Sequence, residues 1–347
     1  MPQRSPSWNL PLDRALVRLR AYRQISGAWS EAVALACSGG VDSTALVIIA
    51  SEALRRGKVA PFVVFHVDHL SRPESSLEAD VVRALCDGCG VPFVALTVAE
   101  SGPVPGRSTE DLWRERRYRA LARAASGLGM GAVVTAHTQD DQVETVLMRM
   151  FSGSTPGGMS PEARSDGSHG RLTVLRPLLG VTRRELEEVL KAANIRPIID
   201  PSNADTAYRR NAVRHEVVPA LQHVFPGFEE ALLRSVELAQ TDAHYCDRQA
   251  AGVYTRSREI IPGGIRFDRE LIRGLHRAIA SRVIRLAALD LIVSHETREL
   301  TFERIDAVLS ATGRRTGALI ELPYGVHARV ERDAIVMTNI TKGEVVD

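Results

Sequence analysis

Four short runs of near-continuous apolar residues, each leading towards a stretch with helical spacing, constrain this chain more than any other feature. They are AVALAC (Ala32 to Cys37), PFVVFHV (Pro61 to Val67), PFVALTV (Pro92 to Val98) and GAVVTAH (Gly131 to His137). A strand that is apolar on both sides has no face to offer water, so it belongs in a sheet covered on both faces. Between the runs lie STALVIIASEALRRG, SSLEADVVRALCDGCG and TEDLWRERRYRALARAASGLG, each with helical periodicity and a glycine near its end. This repetition predicts an α/β fold built on a parallel, doubly wound sheet. Ligands of such sheets bind beyond the carboxyl ends of the strands.

The pattern then changes. SGSTPGGMSPEARSDGSHG (Ser152 to Gly170) is rich in glycine and serine and has no apolar period, so it reads as a long loop. RLTVLRPLL is a fifth strand candidate, and TRRELEEVLKAAN is a short helix. From about Phe225 long amphipathic helices take over. Leu232, Val236, Ala239, Ala243 and Cys246 make one apolar face, and Leu271, Leu275, Ile279, Val283 and Leu286 another. GALIELPYGVHARVERDAIVMT alternates like a small antiparallel meander with its turn at Tyr324-Gly325. The expected organisation is a sheet domain over residues 1–215 and a mainly helical second domain over residues 216–347 with a C-terminal β meander.

Composition narrows the class. With 347 residues, either domain has enough chain for its own core. No apolar stretch approaches the roughly 20 residues of a membrane helix, and MPQRSPSWNLPLDRAL lacks a signal-peptide core, so a cytoplasmic protein without membrane partners is expected. Four scattered cysteines do not make a disulfide scaffold. Only three of the 44 basic residues are lysine. Arginine suits phosphate because its planar fork donates two parallel hydrogen bonds, although a coding bias yields the same count.

The stretch SGGVDS (Ser38 to Ser43) sits at the first strand–helix junction. Strand, tight glycine turn and helix is a geometry that holds phosphate, because unpaired amides and the helix dipole point at the anion. Gly39 and Gly40 allow positive φ and close approach, Ser38 and Ser43 offer hydroxyls, and Asp42 is placed to bind the magnesium of a nucleotide. The stretch is neither a G-x-x-x-x-G-K loop nor G-x-G-x-x-G. It resembles the SGGxDS PP-loop of the N-type ATP pyrophosphatases, which cleave ATP to AMP and pyrophosphate. GLGMG (Gly127 to Gly131) precedes a strand and reads as a helix stop.

Four further stretches carry chemistry. In HVDHLSRPES, His66 and Asp68 share one side of a strand end, while Val67 and His69 share the other. No third ligand is near, so a polar pocket lining is preferred there to a metal site. TEDLWRERRYRALA sets Glu110, Arg114, Arg117 and Tyr118 on one face of a basic helix, suited either to phosphate or to a salt-bridged solvent face. TAHTQDDQVETVL carries Asp140, Asp141 and Glu144 just after His137. Three carboxylates so close repel one another unless a cation sits among them, which points to Mg²⁺; a helix dipole favouring acids at its start is the other reading. DPSNADTAYRRNAVRHEVVPAL gathers Arg209, Arg210, Arg214 and His215 around Asn211 at the expected domain junction.

Together these stretches resemble the tRNA(Ile)-lysidine synthetase family. Its pattern runs H-V-D-H-x-L-R, E-x-x-x-R-x-x-R-Y, A-H-x-x-D-D-Q-x-E-T-x-L, a glycine-rich loop, R-P-L-L, and D-P-S-N-x-D-x-x-Y-x-R-N-x-x-R with a later P-x-L. Each has a counterpart here, in order, over roughly residues 30 to 225. Ser71 stands in a leucine position and Thr138 in a frequent histidine position.

The resemblance implies an adenine nucleotide α-hydrolase-like fold, with ATP and Mg²⁺ as cofactors. It implies ATP-driven replacement of the position-2 oxygen of the wobble cytidine by free L-lysine, in the minor isoleucine tRNA with a CAU anticodon. Ser38, Gly39, Gly40, Val41, Asp42, Ser43, His66 and His137 would then hold the nucleotide, with Asp42 and Asp141 as metal ligands. Asp140 or Glu144 would hold or deprotonate the lysine ammonium. Arg114, Arg117, Arg209, Arg210 and Arg214 would grip tRNA or its adenylate, with Glu110, Tyr118 and Asn211 beside them. A second copy of the chain is a further candidate partner.

Other readings predict different results. A tRNA thiolation enzyme of the 2-thiocytidine type shares the loop and has a foothold in CDGC (Cys86 to Cys89), although no other cysteine clusters with that pair in the sequence. An ammonia-using synthetase making NAD or GMP would cleave ATP without tRNA. A nucleotide-binding module without turnover would have no need of the carboxylates.

Overall fold

The computed structural model describes residues 13–14, 32–68, 75–98, 109–152, 157–167, 170–200, 204–292, 300–313 and 316–339. His69, Ser71 and Arg72 lie outside the described residues, as does the side chain of Glu110. The chain divides into two compact units, Met1–Val236 and Glu237–Asp347.

The first unit runs β1 (Val33–Ala36), α1 (Val41–Arg55), β2 (Phe62–Asp68), α2 (Ser75–Cys89), β3 (Phe93–Thr97), α3 (Thr109–Gly127), β4 (Ala132–Val134), α4 (Gln139–Phe151), β5 (Glu162–Gly167), β6 (Gly170–Leu175) and α5 (Arg183–Ala193). Its sheet has the order β3-β2-β1-β4-β6-β5. Every pairing is parallel except β5 with β6. The chain works outward from β1 to β3 and returns beside β1 as β4. The crevice at that reversal is where open sheets of this kind take ligands.

Burial explains the sheet. Val33, Ala34 and Leu35 of β1 and all of β4 are buried, which is why both strands read as continuous apolar runs. Leu46 and Ile49 of α1, Val82 of α2 and Leu186 and Val189 of α5 close over one face. Leu121 and Ala125 of α3 close over the other, against Phe65 and Val133. The expected doubly wound parallel sheet is the observed architecture.

Part of the expected loop is instead a strand. Residues 162–167 pair antiparallel with β6 as the sheet edge. The segment EARSDG is polar because an edge strand needs no apolar face, so no period marked it in the sequence.

The second unit is helical with a five-stranded antiparallel sheet, Glu259–Ile261, Gly264–Asp268, Ala334–Asn339, Val326–Val330 and Leu319–Glu321 in spatial order. The last three are the expected meander, with Tyr324 at φ 62° in its turn. The hairpin formed by the first two was not foreseen. Its turn holds Gly263 at φ +68°, and any side chain at Gly264 would collide with the Met337 carbonyl. The single apolar face expected from Leu271 to Leu286 is split between helices Arg269–Gly274 and Arg277–Leu291. His276 caps the second helix through Nδ1, which accepts from the Ala278 N–H at 3.2 Å, and Leu271 is exposed. Val283 is fully buried. Among the described residues no helix is long and apolar enough to cross a membrane.

Candidate nucleotide and carboxylate site

The turn between β1 and α1 is built around Gly39. Its φ is +87°, and a side chain there would run into Ile198 and Val82. The carbonyl of Gly39 accepts from the Ile198 N–H at 2.9 Å and from Thr44 Oγ1 at 2.8 Å. Ser43 Oγ accepts from the Ser38 N–H at 3.1 Å, lies 3.2 Å from Ser38 Oγ, and donates to the Gly40 carbonyl at 3.2 Å. These contacts fix the loop from within. Gly40 precedes α1 without any side-chain cap, so the first-turn amides of Val41, Asp42 and Ser43 are left for an anion. Beside the loop, buried His66 donates from Nδ1 to the Cys37 carbonyl at 3.0 Å.

Across the crevice α4 starts at a reciprocal cap. Thr138 Oγ1 accepts from the Asp141 N–H at 3.3 Å, and Asp141 Oδ2 accepts from the Thr138 N–H at 2.9 Å. Asp140 Oδ2 accepts from the Arg183 N–H at 2.8 Å and so caps α5. Glu144, 2 % exposed, accepts from Arg210 Nε at 2.8 Å and from Arg214 Nε at 2.6 Å. Both arginines reach Asp141 Oδ1 through Nη2 at 3.3 Å. The mutual repulsion of the three acids is therefore offset by groups of the chain itself. Arg210 and Arg214 offset the charge of Asp141 and Glu144 together, while the cap amides serve Asp141 and Asp140.

Asp42 is different. Its nearest cation is Arg183, with Nη1 at 3.6 Å from Oδ2, and its Oδ1 is buried with no hydrogen-bond partner. Its pKa is raised to about 6, first by burial, which together with Asp141 and Asp140 outweighs the pull of Arg183 and Arg214. Burial works the same way on Asp141, but Arg210, the Thr138 amide and Arg214 outweigh it and hold this carboxyl below the usual range.

A PP-loop domain model, ATP_bind_3, matches residues 16–221. A tRNA(Ile)-lysidine synthase from Methylobacterium nodulans is 34% identical over 305 residues, covering 86% of each chain. The chain belongs to the tRNA(Ile)-lysidine synthase family. The namesake from Thermus thermophilus is 41% identical over 219 residues, 62% of this chain and 41% of that one. This lysidine synthase relative thus spans about two-fifths of the Thermus protein it matches. In fold, a U34-tRNA thiolase from Methanococcus maripaludis with its [4Fe-4S] cluster is similar, at TM-score 0.54 and 13% identity over 67% of this chain and 79% of the other.

A PP-loop domain accounts for the Ser38–Ser43 geometry and makes ATP the nucleotide it accommodates. The residues also suit Mg²⁺. Among the described residues no three His, Cys, Asp or Glu groups could together hold a metal ion, and magnesium is commonly held by one or two carboxylates plus phosphate oxygens and water. The orphaned Oδ1 of Asp42 suits such an ion, and Asp141 would join it by releasing Arg210 and Arg214.

The remaining expected residues fall into two groups in this family member. His137 is held towards its neutral form. Burial drives its pKa well below the ordinary value, Asp141 opposes, and the charges of Arg176, Arg114 and Arg210 add to the fall. Its Nδ1 lies 2.9 Å from Thr135 Oγ1. On α3 the guanidiniums of Arg114 and Arg117 sit 5.4 Å and 5.8 Å from the Tyr118 ring centre, whose buried hydroxyl has no hydrogen-bond partner. Arg209 is exposed, while Asn211 Nδ2 donates to the Asp205 carbonyl at 2.9 Å.

Sequence reasoning missed Arg183 and the two helix caps that arrange the acids. The signal was present. Thr138-x-x-Asp141 and Thr182-x-x-Glu185 are both capping-box patterns, and the second is realised with the Thr182 N–H donating to Glu185 at 2.8 Å.

Proposed function

We propose that this chain ligates free L-lysine to carbon 2 of the wobble cytidine in the CAU-anticodon isoleucine tRNA, using ATP and forming lysidine. The codon read changes from AUG to AUA. Membership of the lysidine synthase family, together with an uncapped phosphate loop facing ordered carboxylates, is the observation that carries this reading.

The carbonyl oxygen on carbon 2 of cytosine is a poor leaving group, so it first attacks the α-phosphate and becomes an adenylate. Pyrophosphate leaves towards the amides of Val41 to Ser43. The lysine amine then attacks carbon 2, and AMP departs. The amine must first lose a proton, since its ordinary pKa is about 10.4. Asp140, with one carboxylate oxygen committed to the α5 cap, is the better placed acid, because both oxygens of Glu144 already accept from arginine. Asp42 and Asp141 would hold Mg²⁺, which supplies positive charge to the α-phosphate and the leaving pyrophosphate. Arg114, Arg117 and Arg209 supply cations for the tRNA backbone or the adenylate, with Glu110 and Tyr118 beside them. Residues 1–215 carry the nucleotide chemistry, and residues 216–347 clasp the tRNA. A cytoplasmic setting and a homodimer, testable by light scattering, complete the proposal.

Thiol chemistry finds little support in CDGC. Burial pushes the Cys86 thiol up to about 12 and raises Cys89 as well, so both stay protonated and poorly nucleophilic. The test supplies ATP, labelled lysine and candidate tRNAs. Label is expected in isoleucine tRNA(CAU) alone, with AMP and pyrophosphate released only when tRNA is present. ATP cleavage without tRNA, or sulfur incorporation instead of lysine, would overturn the proposal.

A further inference from the structure

Arg183 opens α5, and its place is set by its main chain, whose N–H donates to Asp140 at 2.8 Å. Its side chain is therefore free to serve another purpose. The guanidinium stands with Nη1 3.6 Å from Asp42 Oδ2 and Nε 3.5 Å from Glu187 Oε1, and it is 34% exposed. Both separations exceed a good hydrogen bond, so the cation is near its acids without being locked to them. The other two arginines of the crevice differ, since Arg210 and Arg214 are each bound to Glu144 and to Asp141. Asp42 belongs to the first turn of α1, one residue from Ser43, so Arg183 stands at the mouth of the phosphate loop.

We propose that Arg183 is the pyrophosphate-binding residue of this site. It balances Asp42 while the crevice is empty, then swings its fork onto the β- and γ-phosphate oxygens of ATP and keeps hold of the leaving group. The inference rests on the adenylation reading above. In that step the cytidine oxygen forms a bond to the α-phosphorus as the bond from that phosphorus to the bridging β-oxygen breaks. The electron pair stays on the bridging oxygen, and the N–H donors of Arg183 offset the charge that gathers there. Arg183 transfers no proton. Glu187, one turn along α5 and 57% exposed, competes for the same guanidinium.

The test measures binding of magnesium pyrophosphate and of AMP to the full chain by calorimetry, alongside KM for ATP. Arg183→Gln is expected to weaken pyrophosphate at least tenfold and to raise KM for ATP by a similar factor, with AMP binding unchanged. Arg183→Lys should recover part of the loss, because it keeps the charge and lacks the fork. Glu187→Gln should tighten pyrophosphate slightly. Pyrophosphate binding equal to wild type in Arg183→Gln overturns the assignment. So does equal weakening of pyrophosphate and AMP, which marks general disturbance, or a wild-type chain that binds no pyrophosphate. If the pyrophosphate effect appears while no tRNA takes up lysine, the lysine reading fails and the Arg183 assignment stands for another adenylating reaction.

Discussion

Arg214 donates from Nε to Glu144 at 2.6 Å, joining two residues 70 positions apart in the chain. Arg210 meets the same carboxylate from Nε at 2.8 Å, so one buried acid holds two guanidiniums side by side. Both arginines lie on a continuous helix over residues 209–224 that passes through a π-turn at Val213–Val217. Val213 packs with Val143 and Leu147 beneath the acids. The junction motif and the acidic motif, separate in sequence, are one ionic unit.

Removing Glu144 should therefore cost stability as well as activity. Glu144→Ala leaves two partly buried guanidiniums without their main acceptor, and breaking a buried pair of this kind costs about 3 kcal/mol. Urea unfolding of the variant should show this loss, while Glu144→Gln, which keeps two polar atoms, should lose less. Equal stability of Glu144→Ala and wild type would show that the pair is not structural.

The two loop glycines should respond differently. Gly39→Ala places a side chain at φ +87° and against Ile198, which should cost roughly 1–3 kcal/mol and abolish ATP binding. Gly40 has φ −68°, and the nearest atom to an added Cβ is Ser38 Oγ at 3.7 Å. Gly40→Ala should therefore leave the melting temperature within a few degrees of wild type. Thermal denaturation of the two variants, followed by nucleotide binding, checks both outcomes.

Asp42 should trade stability for function. Its folded pKa of about 6 exceeds the ordinary value near 3.9, so the folded state holds its proton more tightly than the unfolded chain. That contribution is fully present below about pH 4 and is lost as the pH rises to about 6. Above pH 6 the carboxylate costs roughly 2 kcal/mol, allowing for its partial exposure. Asp42→Asn should thus be more stable than wild type at pH 8, equal to it near pH 4, and inactive in pyrophosphate release. Chemical denaturation at the two pH values reads the difference.

The thiols should be dispensable for chemistry. Cys86 is fully buried and Cys89 half-buried, and both are free. The double variant Cys86→Ala, Cys89→Ala should retain most lysine-dependent AMP release while losing about 1 kcal/mol from the small cavities it creates. A folded variant without activity would return the thiolation reading to contention.

The sequence by itself determined the sheet, the phosphate loop and the identity of the acids. These rest on local physics: a strand buried on both faces must be apolar throughout, and a tight turn onto a helix needs Gly39 at positive φ. The polar edge strand Glu162–Gly167 and the helix break at Leu275 escaped notice because neither disturbs an apolar period. Only the tertiary structure decided what each acid faces. Asp140, Asp141 and Glu144 look alike in sequence, yet one caps a helix, one closes its own cap beside two arginines, and one is buried beneath those arginines. Their partners come from residues 183, 210 and 214, at distances along the chain that no local pattern encodes, and charge pairing depends on which groups folding brings within a few ångströms.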